Sequence, residues 1–265
     1  VTGTGADVPD DAALVVALAP RRSLRPESLA ALERDLARGG RLLAFLEPGA
    51  SSGLEELLRR FGLESPDALV VDPASGAVAG DAPGLSPLAF SYVEHPVTRG
   101  LDKGRMTFFH GARPFVPRKP EPEDQVRGVV LASGRSWLAP DPSRVDGAAP
   151  VRPPDAVEDY HPLVAAGRYL RDGVETRIVA FGDVDLASNQ YLRTLYNLDL
   201  VLNAALWAAE READITIRPK AVVSGRLQLP LPLQNTLTMF QSVGLLLPQL
   251  LLIAGIITWA RSRAA

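Results

Sequence analysis

"RPESLAALERDLARGGRLLAFLEP", residues 25–48, decides the expected fold. Pro26 suits the first helical position, Leu29, Leu32 and Leu36 fall on one helical face, and Gly39 and Gly40 stop the helix. The "RLLAFLEP" that follows (41–48) reads as a buried strand. Upstream, "DDAALVVALAP" (10–20) is a short apolar run closed by proline, which predicts a strand buried on both faces. Downstream, "GLEELLRRFG" (53–62) is a short amphipathic helix ended by Gly62. Strand–helix–strand–helix with apolar strands predicts an α/β fold, a mostly parallel sheet with helices on both faces.

The middle of the chain is less regular. Segments 69–71, 88–93, 105–109 and 126–132 read as strands, separated by the proline- and charge-rich stretches 117–125 and 139–156, which lack packing periodicity and belong on the surface. Residues 161–170 and 175–183 are two further strands, the second clearly buried. "NLDLVLNAALWAAERE" (197–212) is a helix in which Asn197 can cap and Leu198, Val201, Leu202, Ala205 and Ala209 form the apolar stripe. The expected organisation is a folded domain over 1–217, a linker over 218–239, a transmembrane helix over 240–260 and a short tail at 261–265.

The expected span rests on "SVGLLLPQLLLIAGIITWARSR" (242–263): no charge occurs from Phe240 to Ala260, about the length a helix needs to cross the hydrocarbon core. Trp259 suits the interface, and Arg261 and Arg263 behind it predict a cytoplasmic C-terminus. The folded domain is then expected outside the cytoplasmic membrane, in the periplasm of a bacterium. Thr238, Ser242 and Gln249 share one stripe of this helix and are the expected contact to partner membrane helices.

Composition narrows the chemistry. A net charge of −3 over 265 residues, with no dense basic run, argues against a nucleic-acid partner. Cysteine is absent, which removes disulfides, thiolate metal sites and a cysteine nucleophile. His95, His110 and His161 are isolated from one another, no metal site is expected, and His95 and His110 read as structural histidines. "TGTGAD" (2–7) begins like a dinucleotide fingerprint, but Val8 takes the third glycine position and no helix follows, so no cofactor is expected. The chain starts at Val1 without an initiator methionine, which predicts a preceding segment.

"GASSG" (49–53) matches the nucleophile elbow G-x-S-x-G, but Glu47-Pro48 separate it from the strand. Ser51 or Ser52 as a helix cap is the favoured reading. The best polar cluster is "FGDVDLASNQ" (181–190), where Asp183, Asp185 and Asn189 follow a buried strand, with Glu47 at the end of a neighbouring one. Ligands bind at such strand ends in open α/β sheets.

Four ordered stretches carry a family resemblance: 23–49, 131–141, 177–212 and the "IRPK…LPL" lead into the apolar terminus. Together they resemble the GldG-like auxiliary proteins of ABC transporters, known from bacterial gliding motility. The resemblance implies a flavodoxin- or amidotransferase-like domain held outside the membrane beside a permease and an ATPase, with no catalytic residues to carry over. The leading expectation is a non-enzymatic accessory subunit. The alternatives are a membrane-tethered hydrolase using Ser51 or the Asp183/Asp185 pair, and a sugar- or peptide-binding domain.

Overall fold

A computed structural model describes residues 7–18, 23–76, 82–102, 104–140 and 151–216, and in the terminal stretch 248–249, 252–254, 256–257, 259 and 261–263. In chain order the elements are β1 (Val15–Leu18), α1 (Pro26–Ala37), β2 (Arg41–Phe45), α2 (Leu54–Arg60), β3 (Leu63–Glu64), β4 (Leu69–Val71), β5 (Leu88–Ala89), β6 (Ser91–Tyr92), β7 (Thr107–Phe108), β8 (Val116–Pro117), β9 (Gln125–Leu131), β10 (Trp137–Ala139), β11 (Pro162–Arg171), β12 (Val174–Phe181) and α3 (Asn197–Ala208). Six strands form the main sheet in the order β1-β2-β12-β11-β9-β6.

The first unit folds as its sequence dictates. Pro26 opens α1 without a side-chain cap from Arg25, and the helix buries Leu32 and Leu36. β1 and β2 then pair in parallel, Val16 beside Leu43 and Leu18 beside Phe45. β2 also runs parallel to β12, Ala44 beside Ala180. Every other pairing among the described residues is antiparallel.

The expected mostly parallel, flavodoxin- or amidotransferase-like sheet with helices on both faces is therefore overturned: the sheet is mixed, mostly antiparallel, and carries few helices. The cause lies in Asp172-Gly173. Both residues take left-handed conformations, φ 51° and 79°, so β11 returns at once as β12 with Arg171 opposite Val174. A two-residue Asp-Gly turn matches the right-handed twist of antiparallel strands and leaves no room for a crossover helix.

Alternation along the central strands divides the core between the two sheet faces. Leu42, Ala44, Ile178 and Ala180 pack with Leu32 and Leu36 of α1 and Leu54, Leu57 and Leu58 of α2. Leu43, Phe45, Val179 and Phe181 pack with Leu200, Ala204 and Trp207 of α3. β1 is not buried on both faces, as its composition predicts. It is the sheet edge, where Val16 is 51% and Leu18 54% exposed.

α3 also turns a different face inward. Leu198 and Leu202 are exposed, whereas Asn197, Leu200, Asn203, Ala204, Trp207 and Ala208 are buried. The two asparagines go inside because backbone groups satisfy them. Asn197 Oδ1 accepts from Phe108 N (2.8 Å) and its Nδ2 donates to Phe108 O (2.9 Å), while Asn203 Nδ2 donates to Arg99 O (3.0 Å). Such pairing removes most of the penalty for burying an amide.

The terminal expectation also fails. Among the described residues no helix is long and apolar enough to cross a membrane. The transmembrane helix over 240–260, and the inner-membrane location with a periplasmic domain inferred from it, are accordingly not supported. The linker over 218–239, Thr238 and Ser242 lie outside the described residues, and Gln249 is an exposed helical residue.

Candidate functional site

Because β2 and β12 run parallel in register, the chain leaves both at one end of the sheet. Phe45 and Phe181, directly paired, stack with ring centroids 4.4 Å apart and close the core beneath that end. Leu46 N donates to Phe181 O at 2.8 Å, and Glu47 and Gly182 follow on the two chains. The 110–113 loop lies directly across this point, with Arg113 N donating to Gly182 O at 2.8 Å.

Asp183 is the anchor of the site. It is fully buried, its Oδ2 accepts from His110 N (2.8 Å) and its Oδ1 from Asp185 N (2.7 Å). Burial pushes its carboxyl well above the usual range; the two amide bonds oppose this, and the Asp185 and Glu47 carboxylates nearby add to it. The structure thus brings Glu47, Asp183 and Asp185 together and leaves Asn189 exposed in the following turn.

Above the buried Asp183 is a partly exposed layer. His110 Nδ1 lies 3.0 Å from Asp185 Oδ2, and the His110 ring stacks on Tyr191 at 5.1 Å. Asp183 sets the backbone on both sides of this pair, so the ring and the second carboxylate are presented in a fixed relation. Both can exchange hydrogen bonds with an incoming polar group. Among the described residues no group of three or more His, Cys, Asp or Glu has the spacing to hold a metal ion.

The "GASSG" loop leads into α2, whose N-cap is Gly53 in a left-handed conformation (φ 87°) with no side-chain cap bond. Ser52 Oγ accepts from Leu54 N (3.2 Å), and the Glu55 carboxylate accepts from Gly53 N (2.8 Å) and from Ser52 Oγ (3.0 Å). These bonds satisfy the amides of Gly53 and Leu54 where the chain enters α2. Ser51 is exposed, and its carbonyl accepts from Ser23 Oγ at 3.0 Å. The third histidine pairs elsewhere: His161 Nδ1 lies 2.9 Å from Ser136 Oγ, which itself donates to Asp159 O at 2.6 Å. Ser136 is completely buried, so that contact is a structural bridge.

Sequence reasoning missed Arg113. It is 3% exposed, its guanidinium donates to Ala50 O and Ser65 O (each 2.9 Å), and Glu55 and Asp67 lie 3.6 and 3.4 Å away. It therefore braces the 49–53 loop against the 65–67 segment. The signal was an arginine set inside "FFHGARPF" (108–115), since a charge in an apolar run is buried only when paired. The His110–Asp185 contact was also missed, because nothing local links positions 75 residues apart.

The family described as "ABC-type uncharacterized transport system", of auxiliary components, matches residues 1–204. No curated protein in the comparison matches significantly. Among solved structures the fold is similar to the mmIFT52 N-terminal domain, with a TM-score of 0.55 and 15% identity over 74% of this chain and 76% of that one. A cytoplasmic protein from Salmonella typhimurium (TM-score 0.41, 16% identity, 73% and 70% covered) is more distant. So is a ThuA-like protein from Parabacteroides merdae (TM-score 0.40, 17% identity, 78% and 73% covered).

Proposed function

Since the chain belongs to this family of ABC-type transport-system auxiliary components, we propose that it serves its transport system by binding and not by catalysis, with the His110–Asp185–Tyr191 layer as its recognition surface. The observation that carries this reading is the division of labour at the strand ends. Asp183 spends both oxygens on backbone amides, and the Ser52 hydroxyl is spent on the Leu54 amide and the Glu55 carboxylate. Asp185 and the His110 ring are left partly open to solvent, with side chains 38% and 20% exposed. A rigid polar rim over a structural carboxyl suits recognition, because ordering it on binding costs little.

Within the family we place the chain among the gliding-motility-type members, on the four ordered stretches quoted above, and we take a permease and an ATPase as its partners. Affinity isolation of the tagged full chain from its native cells tests the proposal. Recovery of permease and ATPase subunits with the chain is expected; isolation of the chain alone under mild conditions would refute it.

A further inference from the structure

Away from the His110–Asp185 layer, at the other end of the main sheet, arginines stand side by side. Arg41 is the first residue of β2, whose last residue is Phe45. It lies beside Arg177 of β12, and Arg177 lies directly opposite Arg168 of β11. Gln125 of β9 continues the row, and Arg127 stands two residues further along β9. Residues opposite one another, or two apart on one strand, share a face of the sheet. This is the α3 face, where Val179 and Ala166, the partner of Arg127, enter the core. Like charges set directly opposite are destabilising, and carboxylates between them offset the repulsion. Glu175 accepts from Arg168 Nε (2.7 Å) and from Arg177 Nε, Glu212 Oε1 accepts from Arg177 Nη1 (2.6 Å), and Glu210 accepts from Arg41.

Arg127 has no such partner among the described residues. With Arg168 and Arg177 it lines a cleft of about 280 Å³ that also takes in Trp207 and His95. The buried part of that lining is fixed. Arg177, 8% exposed, sits over the Trp207 ring at 5.2 Å and donates to Trp207 O at 2.7 Å. The His95 ring meets the Trp207 ring edge-on, 4.8 Å between centroids. Because His95 Nδ1 accepts from Val97 N, the neutral ring carries its proton on Nε2, as a donor. Burial, and after it the charges of Arg127 and Arg177, keep that ring neutral. Of the carboxylates lining the cleft, Glu212 is held by Arg177 and Glu94 is exposed. Arg168 uses Nε and Nη2 on Glu175, so its Nη1 is also open to a ligand.

We propose that this cleft binds a small anion through a carboxylate or phosphate group, received by Arg127 and Arg168 with His95 Nε2 as a neutral donor. Guanidinium forks match two oxygens of such a group. The volume lies below the range of pockets for drug-sized ligands, which suits a single acid group or a small acid. The site shares no residue with the His110–Asp185 layer and does not depend on that reading.

The test is titration of the full chain with inorganic phosphate and, separately, with acetate, at pH 7 and constant ionic strength. NMR follows the rings of the three histidines. A saturable shift of the His95 ring is expected, with His161 as the internal reference. Saturation by phosphate alone would support the proposal and identify a phosphate group; saturation by acetate alone would support it and identify a carboxylate. Arg127 is exposed, so Arg127→Gln should keep the fold, checked by an unchanged His161 signal, and weaken binding about tenfold. Arg127→Lys should retain part of the affinity. A His95 ring that responds to neither anion, moves only in step with His161, or saturates equally well in Arg127→Gln would overturn the proposal.

Discussion

Gly182 and Arg113 meet backbone to backbone: the Arg113 amide donates to the Gly182 carbonyl at 2.8 Å, and a methyl group on Gly182 would stand 2.1 Å from the Arg113 carbonyl oxygen. Neither side can yield by rotating a side chain. Gly182→Ala is expected to cost about 1–3 kcal/mol by forcing the 110–113 loop off the strand end. Urea denaturation measures this, and an unchanged midpoint would mean that the close approach is not required.

Asp183 is expected to matter for the fold more than its place in a polar cluster suggests. Asp183→Asn turns an NH2 group toward one of the two amides that the carboxylate accepts from. The cost expected is about 1–3 kcal/mol, the penalty for a buried donor left unsatisfied. The pH dependence follows from the raised carboxyl. Because the folded-state value lies above the unfolded one, the stabilisation from Asp183 is complete below the unfolded value near 3.8 and fades as pH rises through the folded value. A carboxyl signal in the NMR titration of the folded protein that moves at or below the usual range would contradict this.

His95 shifts in the opposite sense. Burial, with Arg127 and Arg177 adding repulsion, holds its ring down from 6.5 to about 4. Geometry gives the same answer, since Nδ1 accepts from Val97 N at 3.2 Å and must stay unprotonated to do so. The folded form therefore binds fewer protons, and stability is lost as pH falls from 6.5 towards 4. At pH 5 the loss amounts to about 2 kcal/mol. His95→Asn can keep a cap without titrating. Its stability should change less between pH 7 and pH 5 than that of the unaltered protein, and equal pH profiles would remove His95 from the account.

α3 gives a paired test of which face is buried. Leu200 is completely buried and Leu202 is 45% exposed. Leu200→Asp should abolish cooperative unfolding, since an unpaired charge would sit in the core. Leu202→Asp should shift stability by about 0.5 kcal/mol or less. The reverse ranking by thermal melting would mean that the helix is rotated about its axis.

These cases show what was legible in the sequence and what was not. α1, β2 and α2 could be read because Pro26, Gly39 and Gly62 mark their ends and leucines mark their faces. The direction of the later strands could not be read from their apolar composition, and only the Asp172-Gly173 turn between them carried it. α3 misled because Asn197 and Asn203 count as polar until the Phe108 and Arg99 backbone groups that bind them are known. At the strand ends the cluster of Glu47, Asp183 and Asp185 was visible. The burial of Asp183 and the arrival of His110 and Arg113 depended on a loop about 70 residues away in sequence.

The measurement that bears most directly on the account is the subunit ratio in affinity-isolated complexes, read by quantitative mass spectrometry for three chains: unaltered, Ser51→Ala and His110→Ala/Asp185→Ala. Binding through the rim, with no serine chemistry, predicts that Ser51→Ala retains permease and ATPase in the same ratio as the unaltered chain. The rim variant, folded by circular dichroism, should lose most of both. A rim variant that keeps its partners while Ser51→Ala inactivates the system would contradict the account.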